Sequence, residues 1–211
     1  MQAARTRAAW LEVRRTRDET RDGHALLERK REVLLREVWD LMRAASHRET
    51  ELRATFEAAH AAARTARVEA GRDVAWVASW APSAHCVADV GVRSLMGVDL
   101  PQVDLHVERD PLPTAAGASP ATLDVARRRW LDVVEALGTW SETYGAVWRV
   151  AAELARTQRR VRSLEEVVLP QLEAQIAAIE ATLEEAEREA FVRSKRVKAR
   201  LEAARTEDDD A

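Results

Sequence analysis

Histidine, cysteine and carboxylate side chains bind metals and transfer protons, but their spacing in this chain matches no known site of that kind. His85 precedes the single cysteine, Cys86, and two adjacent residues supply at most half of a metal site. No Gly-x4-Gly-Lys-Ser/Thr, His-Glu-x-x-His or Cys-x-x-Cys motif occurs. The other histidines are scattered at His24, His47, His60 and His106. We therefore expect no catalytic residue, no cofactor and no metal, so the protein is not expected to be an enzyme by itself.

The composition argues against most globular enzyme folds. Only 7 glycines and 6 prolines occur in 211 residues, and 33% of the residues are charged. Sandwiches, barrels and doubly wound sheets need a turn roughly every dozen residues. The net charge of −3 does not favour nucleic-acid binding, and no run approaches the roughly 18 apolar residues that span a bilayer. We expect a soluble cytoplasmic protein that neither binds nucleic acid nor inserts directly into a membrane.

Glycine and proline divide the chain into two helical zones and a connector. Five of the six prolines lie within residues 81–120. Ala81-Pro82 predicts the end of the first helix, and Ser119-Pro120 predicts the start of the second. The predicted fold is all-α, a single elongated domain over 1–211 in which two long helices form an antiparallel coiled coil. The predicted segments are a helix at about 3–80, a connector at 81–119 with a small β-hairpin at 90–107, a helix at about 120–205, and a disordered acidic tail at 206–211.

Apolar residues recur at alternating steps of three and four along both zones, which is the pattern of a coiled-coil seam. Between Leu164 and Ile176 the steps are four, four and four, which predicts a locally straight or slightly right-handed stretch. Pro170 lies in that stretch and removes one backbone hydrogen bond. The predicted seam residues are Leu27, Leu34, Val38, Leu41, Leu164, Val168, Leu172, Ile176, Ile179 and Leu183.

Two surface features each have a structural and a functional interpretation. The basic run at 193–200 matches the helix dipole, or it forms a cationic collar that faces acidic partner loops. The tryptophans that flank the connector form a wider aromatic core, or some of them form a docking surface for another protein. These tryptophans are Trp76, Trp80, Trp130, Trp140 and Trp148.

Four segments carry an ordered set of longer motifs. Residues 21–34 contain Gly-His-x-Leu-Leu-x-x-Lys-Arg, and residues 96–101 contain Met-Gly-Val-x-x-Pro. Residues 159–172 are similar to Arg-Arg-Val-Asn-Ala-Leu-Glu-x-Val-x-Ile-Pro, and residues 187–198 to Glu-Arg-Glu-Glu-Phe-Phe-Arg-Leu-Lys-x-x-Lys. In this order, across most of the chain, these segments resemble the D subunit of V-type and archaeal A-type ATPases. The departures are mild: Arg162 replaces an asparagine, and Val192 and Ser194 replace larger apolar residues.

The resemblance implies a non-catalytic central-stalk axle that transmits torque between ATP hydrolysis or synthesis in a soluble head and proton or sodium translocation in a membrane ring. The implied partners are the catalytic and regulatory A and B subunits of the head, the small F subunit along the side, and the protein that caps the membrane ring. The implied location is cytoplasmic and peripheral to the membrane. We assign to the catalytic-ring end Arg17, His24, Phe191, Arg193, Lys195, Arg196, Lys198 and Arg200, and to the membrane-rotor end Leu95, Met96, Gly97, Val98 and Pro101.

Three other functions are compatible with part of the pattern. A coiled-coil scaffold or tethering protein shares the heptads, and a homodimer in solution would favour it over the axle. The type III export stalk protein is also a two-helix hairpin, but it lacks the long connector. A nucleic-acid binder predicts an affinity that falls steeply with salt.

Overall fold

The computed structural model describes residues 6–71, 84–109 and 121–209. It confirms the predicted long helices and the hairpin between them. Trp76, Trp80 and both proline-marked helix ends lie outside the described residues. No helix in the described part is apolar enough over a sufficient length to cross a bilayer. The elements are α1 (Arg7–Ala70), β1 (Ala84–Leu95), β2 (Val98–Arg109), α2 (Ala121–Ser163), a π-helical turn (Leu164–Val168) and α3 (Leu169–Asp209).

Helix α1 begins and ends at local capping signals. The Ala9 N–H donates to the Thr6 hydroxyl at 3.3 Å, so Thr6 caps the first turn. Gly71 follows the last helical residue with a φ of +79°, in the left-handed region that glycine adopts without steric cost. The helix end predicted at Ala81-Pro82 lies beyond the described range that closes at Gly71, and it stays a prediction.

The hairpin and the last helix are both longer than expected. The strands cover Ala84–Leu95 and Val98–Arg109, beyond both ends of the predicted 90–107. Met96 and Gly97 join them with φ values of +50° and +79°, as in a type I′ turn. Helix α3 continues to Asp209, into the segment predicted as a disordered tail, because no glycine or proline follows Pro170.

The chain divides into two compact units. The hairpin unit is Lys30–Arg156, and the terminal unit combines Met1–Arg29 with Thr157–Ala211. Helix α1 contributes residues to both units, and the predicted single domain over 1–211 stays a prediction.

Within the hairpin unit, α1 and α2 run antiparallel. The Lys30 Nζ lies 2.9 Å from the Glu153 Oε1, and both side chains are largely shielded, with 26% and 19% of their surface exposed. Further along α1, the Phe56 ring packs edge-on against Trp130 with 5.5 Å between centroids. At the turn end of the hairpin, β2 packs against α1 and α2 in one buried cluster. The cluster consists of Leu34, Val98, Leu100, Ala146, Val150 and Leu154, and Val38, Leu41 and Leu95 pack against it.

Two glycines let the hairpin approach α2 closely. A Cβ built on Gly145 would lie 3.1 Å from the Pro101 Cγ, and one built on Gly138 would lie 3.1 Å from Leu105 side-chain atoms. The guanidinium of Arg149 also donates to the backbone carbonyl of Asp99 at 2.8 Å. Glycine at these positions therefore serves packing, although it is a poor helix former.

The Gly145→Ala variant is expected to lower the free energy of unfolding by about 1 kcal/mol, because the proline ring in β2 cannot yield easily to the new methyl group. The matched control is Gly23→Ala, because nothing lies within 4 Å of a Cβ at Gly23. That helical substitution is expected to stabilise the protein by about 0.5–1 kcal/mol. Urea unfolding of both variants measures whether the free energy of unfolding changes in opposite directions. Stabilisation by Gly145→Ala would contradict the close approach of Pro101 to Gly145.

A π-helical turn joins α2 to α3. Within it the Leu169 N–H bonds to the Leu164 carbonyl, so the turn holds one more residue than an α-turn. It ends two residues before Pro170, whose ring would clash with the carbonyl of Glu166 in an uninterrupted α-helix. The steps of four in the seam predict a straight or slightly right-handed stretch here. In the structure, the π turn accommodates the extra residue that these steps of four add to the seam.

Deletion of Val167, combined with Pro170→Ala, is expected to change stability little, because the π turn loses its extra residue and becomes an α-turn. Val167 is 47% exposed. The control is deletion of Ala177, which rotates every later residue by about 100° relative to the seam. Because that rotation exposes Ile179, we expect a loss of about 2–3 kcal/mol. Thermal unfolding followed by circular dichroism measures both, and equal losses would show that the π turn does not absorb the insertion.

Candidate functional site

In the terminal unit, the paired ends of the chain also run antiparallel. The Trp10 indole N–H donates to the Glu180 Oε1 at 3.0 Å, and the Arg21 guanidinium lies 2.7 Å from the Glu173 Oε1. The predicted seam residues of both units lie toward the interior: none of them is exposed, and Leu34, Ile176 and Ile179 are buried.

The C-terminal part of α3 is a helix with an exposed surface on all sides. Every residue from 184 to 200 is exposed. Arg188 pairs with Glu184 and Glu185 at 3.6 and 3.4 Å, within a stretch where carboxylates dominate. The sequence has no acidic residue between Glu189 and Glu202, and in that gap five cations follow one another: Arg193, Lys195, Arg196, Lys198 and Arg200. The helix surface thus changes from acidic to basic along its length.

Apolar side chains are interspersed with these cations. Phe191 is 63% exposed, and Val192 and Val197 are about half exposed. The Lys195 Nζ lies 5.0 Å from the centroid of the Phe191 ring, in cation–π geometry. An exposed surface that combines an aromatic ring, aliphatic groups and positive charge is suited to a protein partner with acidic and apolar groups.

Arg17 and His24 lie apart from this basic stretch. Arg17 bonds to its neighbour Asp18 at 2.6 Å, and the imidazole of His24 is half-buried with no hydrogen-bond partner at its Nε2. Since Arg21 pairs with Glu173, Phe191 lies 18 residues further along α3, or roughly 27 Å at 1.5 Å per residue. The residues assigned together to the catalytic-ring end therefore form two separate groups.

The residues assigned to the membrane-rotor end also separate. Val98 is buried, Leu95 is half-buried, and Pro101 packs against α2. Only Met96, which is 49% exposed, and Gly97 form an exposed surface at the turn. Sequence reasoning missed this inward packing, although the two glycines seven residues apart in α2 were a usable signal.

The described connector tryptophans differ in exposure. Trp140 is half-buried and stacks on Tyr144 of the same helix with 4.9 Å between ring centroids, and Tyr144 is itself 54% exposed. Trp148 is 73% exposed and lines a shallow cleft with Gly97 at the hairpin turn. An indole with so much exposed surface is available for docking another protein.

The side chains of His85 and Cys86 do not point to a common site. Both residues are exposed on β1, and neighbouring residues of a strand point to opposite faces of the sheet. Across the described residues, no three His, Cys, Asp or Glu side chains come together as metal ligands.

Sequence comparison places the chain in a known family. The profile of the family described as the D subunit of ATP synthase matches residues 9–199, which include all four motif-bearing segments. The chain belongs to the ATP synthase D-subunit family. It is similar to the V-type ATP synthase D subunit of Thermotoga neapolitana, with 33% identity over 85% of this chain and 88% of that protein. It is also similar to the A-type ATP synthase D subunit of Methanopyrus kandleri, with 34% identity over 93% and 86%.

Membership in the D-subunit family makes the chain a component of a V/A-type ATP synthase complex. ATP synthesis and ion transport follow as the processes to which it contributes. The two-helix architecture with a hairpin is consistent in general with a central-stalk role.

Proposed function

We propose that the chain is the non-catalytic axle of the central stalk of a V/A-type ATP synthase. As the axle it transmits torque between ATP hydrolysis or synthesis in the soluble head and proton or sodium translocation in a membrane ring. The observation that carries this proposal is the family match over residues 9–199 on a chain built of long, continuous helices. Helices with few breaks resist bending and twisting, as torque transmission requires.

The axle must present a different surface to each catalytic site of the head. Helices α1 and α2 have unlike sequences, and the hairpin packs against α2 through Gly138 and Gly145. The axle therefore has no rotational symmetry. Each rotor angle then favours a different nucleotide state through differential contacts, and by linkage each nucleotide state favours a rotor angle.

The proposed partners are the A and B subunits of the head, the small F subunit along the side, and the protein that caps the membrane ring. We place the basic stretch of α3, residues 191–200, in the head, and Met96 with Gly97 toward the membrane rotor. Exposed ion pairs contribute only about 0–1 kcal/mol each. Charged contacts can therefore hold the axle in place and still break and re-form as it turns. The chain itself is cytoplasmic and peripheral to the membrane, as part of the membrane-bound complex.

The experiment is a pull-down of the tagged chain from its own cell membranes, with the co-purifying proteins assayed for ATPase activity. Recovery of large nucleotide-binding proteins with activity is expected. Recovery of the chain alone, or of a homodimer without ATPase activity, would contradict the axle and favour a coiled-coil scaffold.

A further inference from the structure

Among the described residues, strand β1 forms backbone hydrogen bonds along one of its edges only. In a hairpin with a two-residue turn, the pair that flanks the turn, here Leu95 and Val98, exchanges both backbone bonds, and such pairs then alternate along the strand. The intervening residues point their N–H and C=O groups away from β2. In the described part of the chain, no backbone bond from another element reaches this outer edge. The residues with outward-pointing groups are Cys86, Ala88, Val90, Val92 and Ser94.

These residues also share one face of the hairpin. The β2 residues opposite four of them are half-buried: Pro101, Val103, Leu105 and Val107. Of these, Pro101 and Leu105 approach α2 at its two glycines. The apolar face therefore continues from β2 onto β1 beyond the α2 contacts. On β1 it is uncovered, and Val90 and Val92 are each 64% exposed.

The edge has little of the usual protection against pairing. Strand β1 is 12 residues long, contains no lysine and no proline, and has Asp89 and Arg93 as its only fully charged residues. Its pairing with β2 is one-to-one from Ala84 to Leu95, without a bulge. Natural proteins normally interrupt such an edge more strongly, because an exposed edge pairs with other chains. A long, regular edge with so little protection is understandable if a partner covers it in the assembled state.

We propose that β1 accepts an extended segment of another protein of the same ATP synthase complex as a third strand, an inference that rests on the proposed axle function. Backbone donors and acceptors repeated every second residue fit an extended chain, whereas a helix bonds its own backbone groups internally. The incoming strand has apolar side chains next to Val90 and Val92. Its alternate side chains are polar, because the opposite face of β1 includes Asp89 and Arg93.

The test is residue-resolved hydrogen exchange on the dilute free chain and on the ATPase complex purified from the same cells. In the free chain, the amides of Val90 and Val92 exchange fast, while the amide of Gly91, which bonds to β2, exchanges slowly. In the complex, exchange at Val90 and Val92 slows by at least about a hundredfold. If these two amides stay fast in an active complex, the inference fails and the axle proposal stands.

Three other outcomes overturn the inference in distinguishable ways. Protection of the outer amides in the dilute free chain would mean that a segment of the same chain covers the edge. Protection that grows with concentration would mean that a second copy covers it. Failure to recover any complex would overturn the axle proposal and this inference together.

One variant tests the outward-pointing backbone groups of β1 while the rest of the hairpin stays intact. Val90→Pro removes an N–H that points away from β2, a position where an edge strand tolerates proline. It is expected to weaken retention of the chain in the complex at least tenfold, while slow exchange at Gly91 reports an intact hairpin. The control is Val90→Thr, which keeps the amide and is expected to bind normally. Unchanged retention of the Val90→Pro variant would contradict strand addition.

Discussion

Replacement of Leu34 by alanine is expected to lower the free energy of unfolding of the hairpin unit by about 3 kcal/mol. Leu34 is 0% exposed and lies where α1, β2 and α2 meet, in one cluster with Leu100 and Val150. Truncation removes apolar contacts and leaves a cavity that three separate elements cannot easily close. Urea unfolding followed by tryptophan fluorescence measures the change.

The matched control for Leu34→Ala is Leu35→Ala at the next position of the same helix. Both substitutions change helix propensity equally, but Leu35 is 43% exposed. Its truncation is expected to cost less than about 1 kcal/mol, because half-exposed side chains bury less apolar surface. Equal losses in the two variants would contradict the placement of Leu34 at the centre of the hairpin unit.

Removal of residues 191–211 is expected to lower the number of ions transported per ATP hydrolysed by about tenfold or more. The residues from 191 to 200 are all exposed, so their removal costs the rest of the chain little burial. Unfolding of the isolated chain should therefore change little, while the contact proposed with the head is lost. The measurement is ion transport per ATP hydrolysed in reconstituted vesicles.

A full-length variant separates charge from length in that experiment. Conversion of Arg193, Lys195, Arg196 and Arg200 to glutamine keeps the helix and removes four of its five cations. If the basic surface is the contact, this variant loses coupling as the truncation does. The control is Arg188→Gln, because Arg188 already pairs with Glu184 and Glu185 in its own helix. Full coupling by the truncated chain would contradict a role of the C-terminal stretch in the head.

The helical architecture was predictable because it depends on spacing that is visible in one sequence. Apolar steps of three and four fix which side of each helix is buried, and the predicted seam residues are all buried or half-buried. The scarcity of glycine and proline fixes the number of long elements. Gly71 ends α1 through its left-handed backbone conformation, a local signal that an argument from the positions of prolines does not include.

The remaining features depend on contacts between distant segments. Gly138 and Gly145 appear as weaknesses in a helix until Leu105 and Pro101 are placed against them. The π turn needs both the extra residue in the seam and the ring of Pro170. The steps of four alone predict a straight or slightly right-handed stretch, and the proline alone predicts a slight bend. The residues assigned to the catalytic-ring end form two separate groups because Arg21 pairs with Glu173. Spacing within one helix cannot reveal that pairing.

The most direct test of the axle is to observe the chain rotate. Cys86 is the single cysteine and lies on the β1 edge proposed to receive a partner strand, so it is replaced by serine and a Val68→Cys substitution takes the label. Val68 is 84% exposed in α1, and a biotin maleimide attaches a bead at that one position. With the head proteins fixed to a surface through tags, the bead is expected to turn in one direction in discrete steps when ATP is added, and to stop when ATP is removed. A bead that stays still while the same molecules hydrolyse ATP would contradict the proposal that this chain transmits torque.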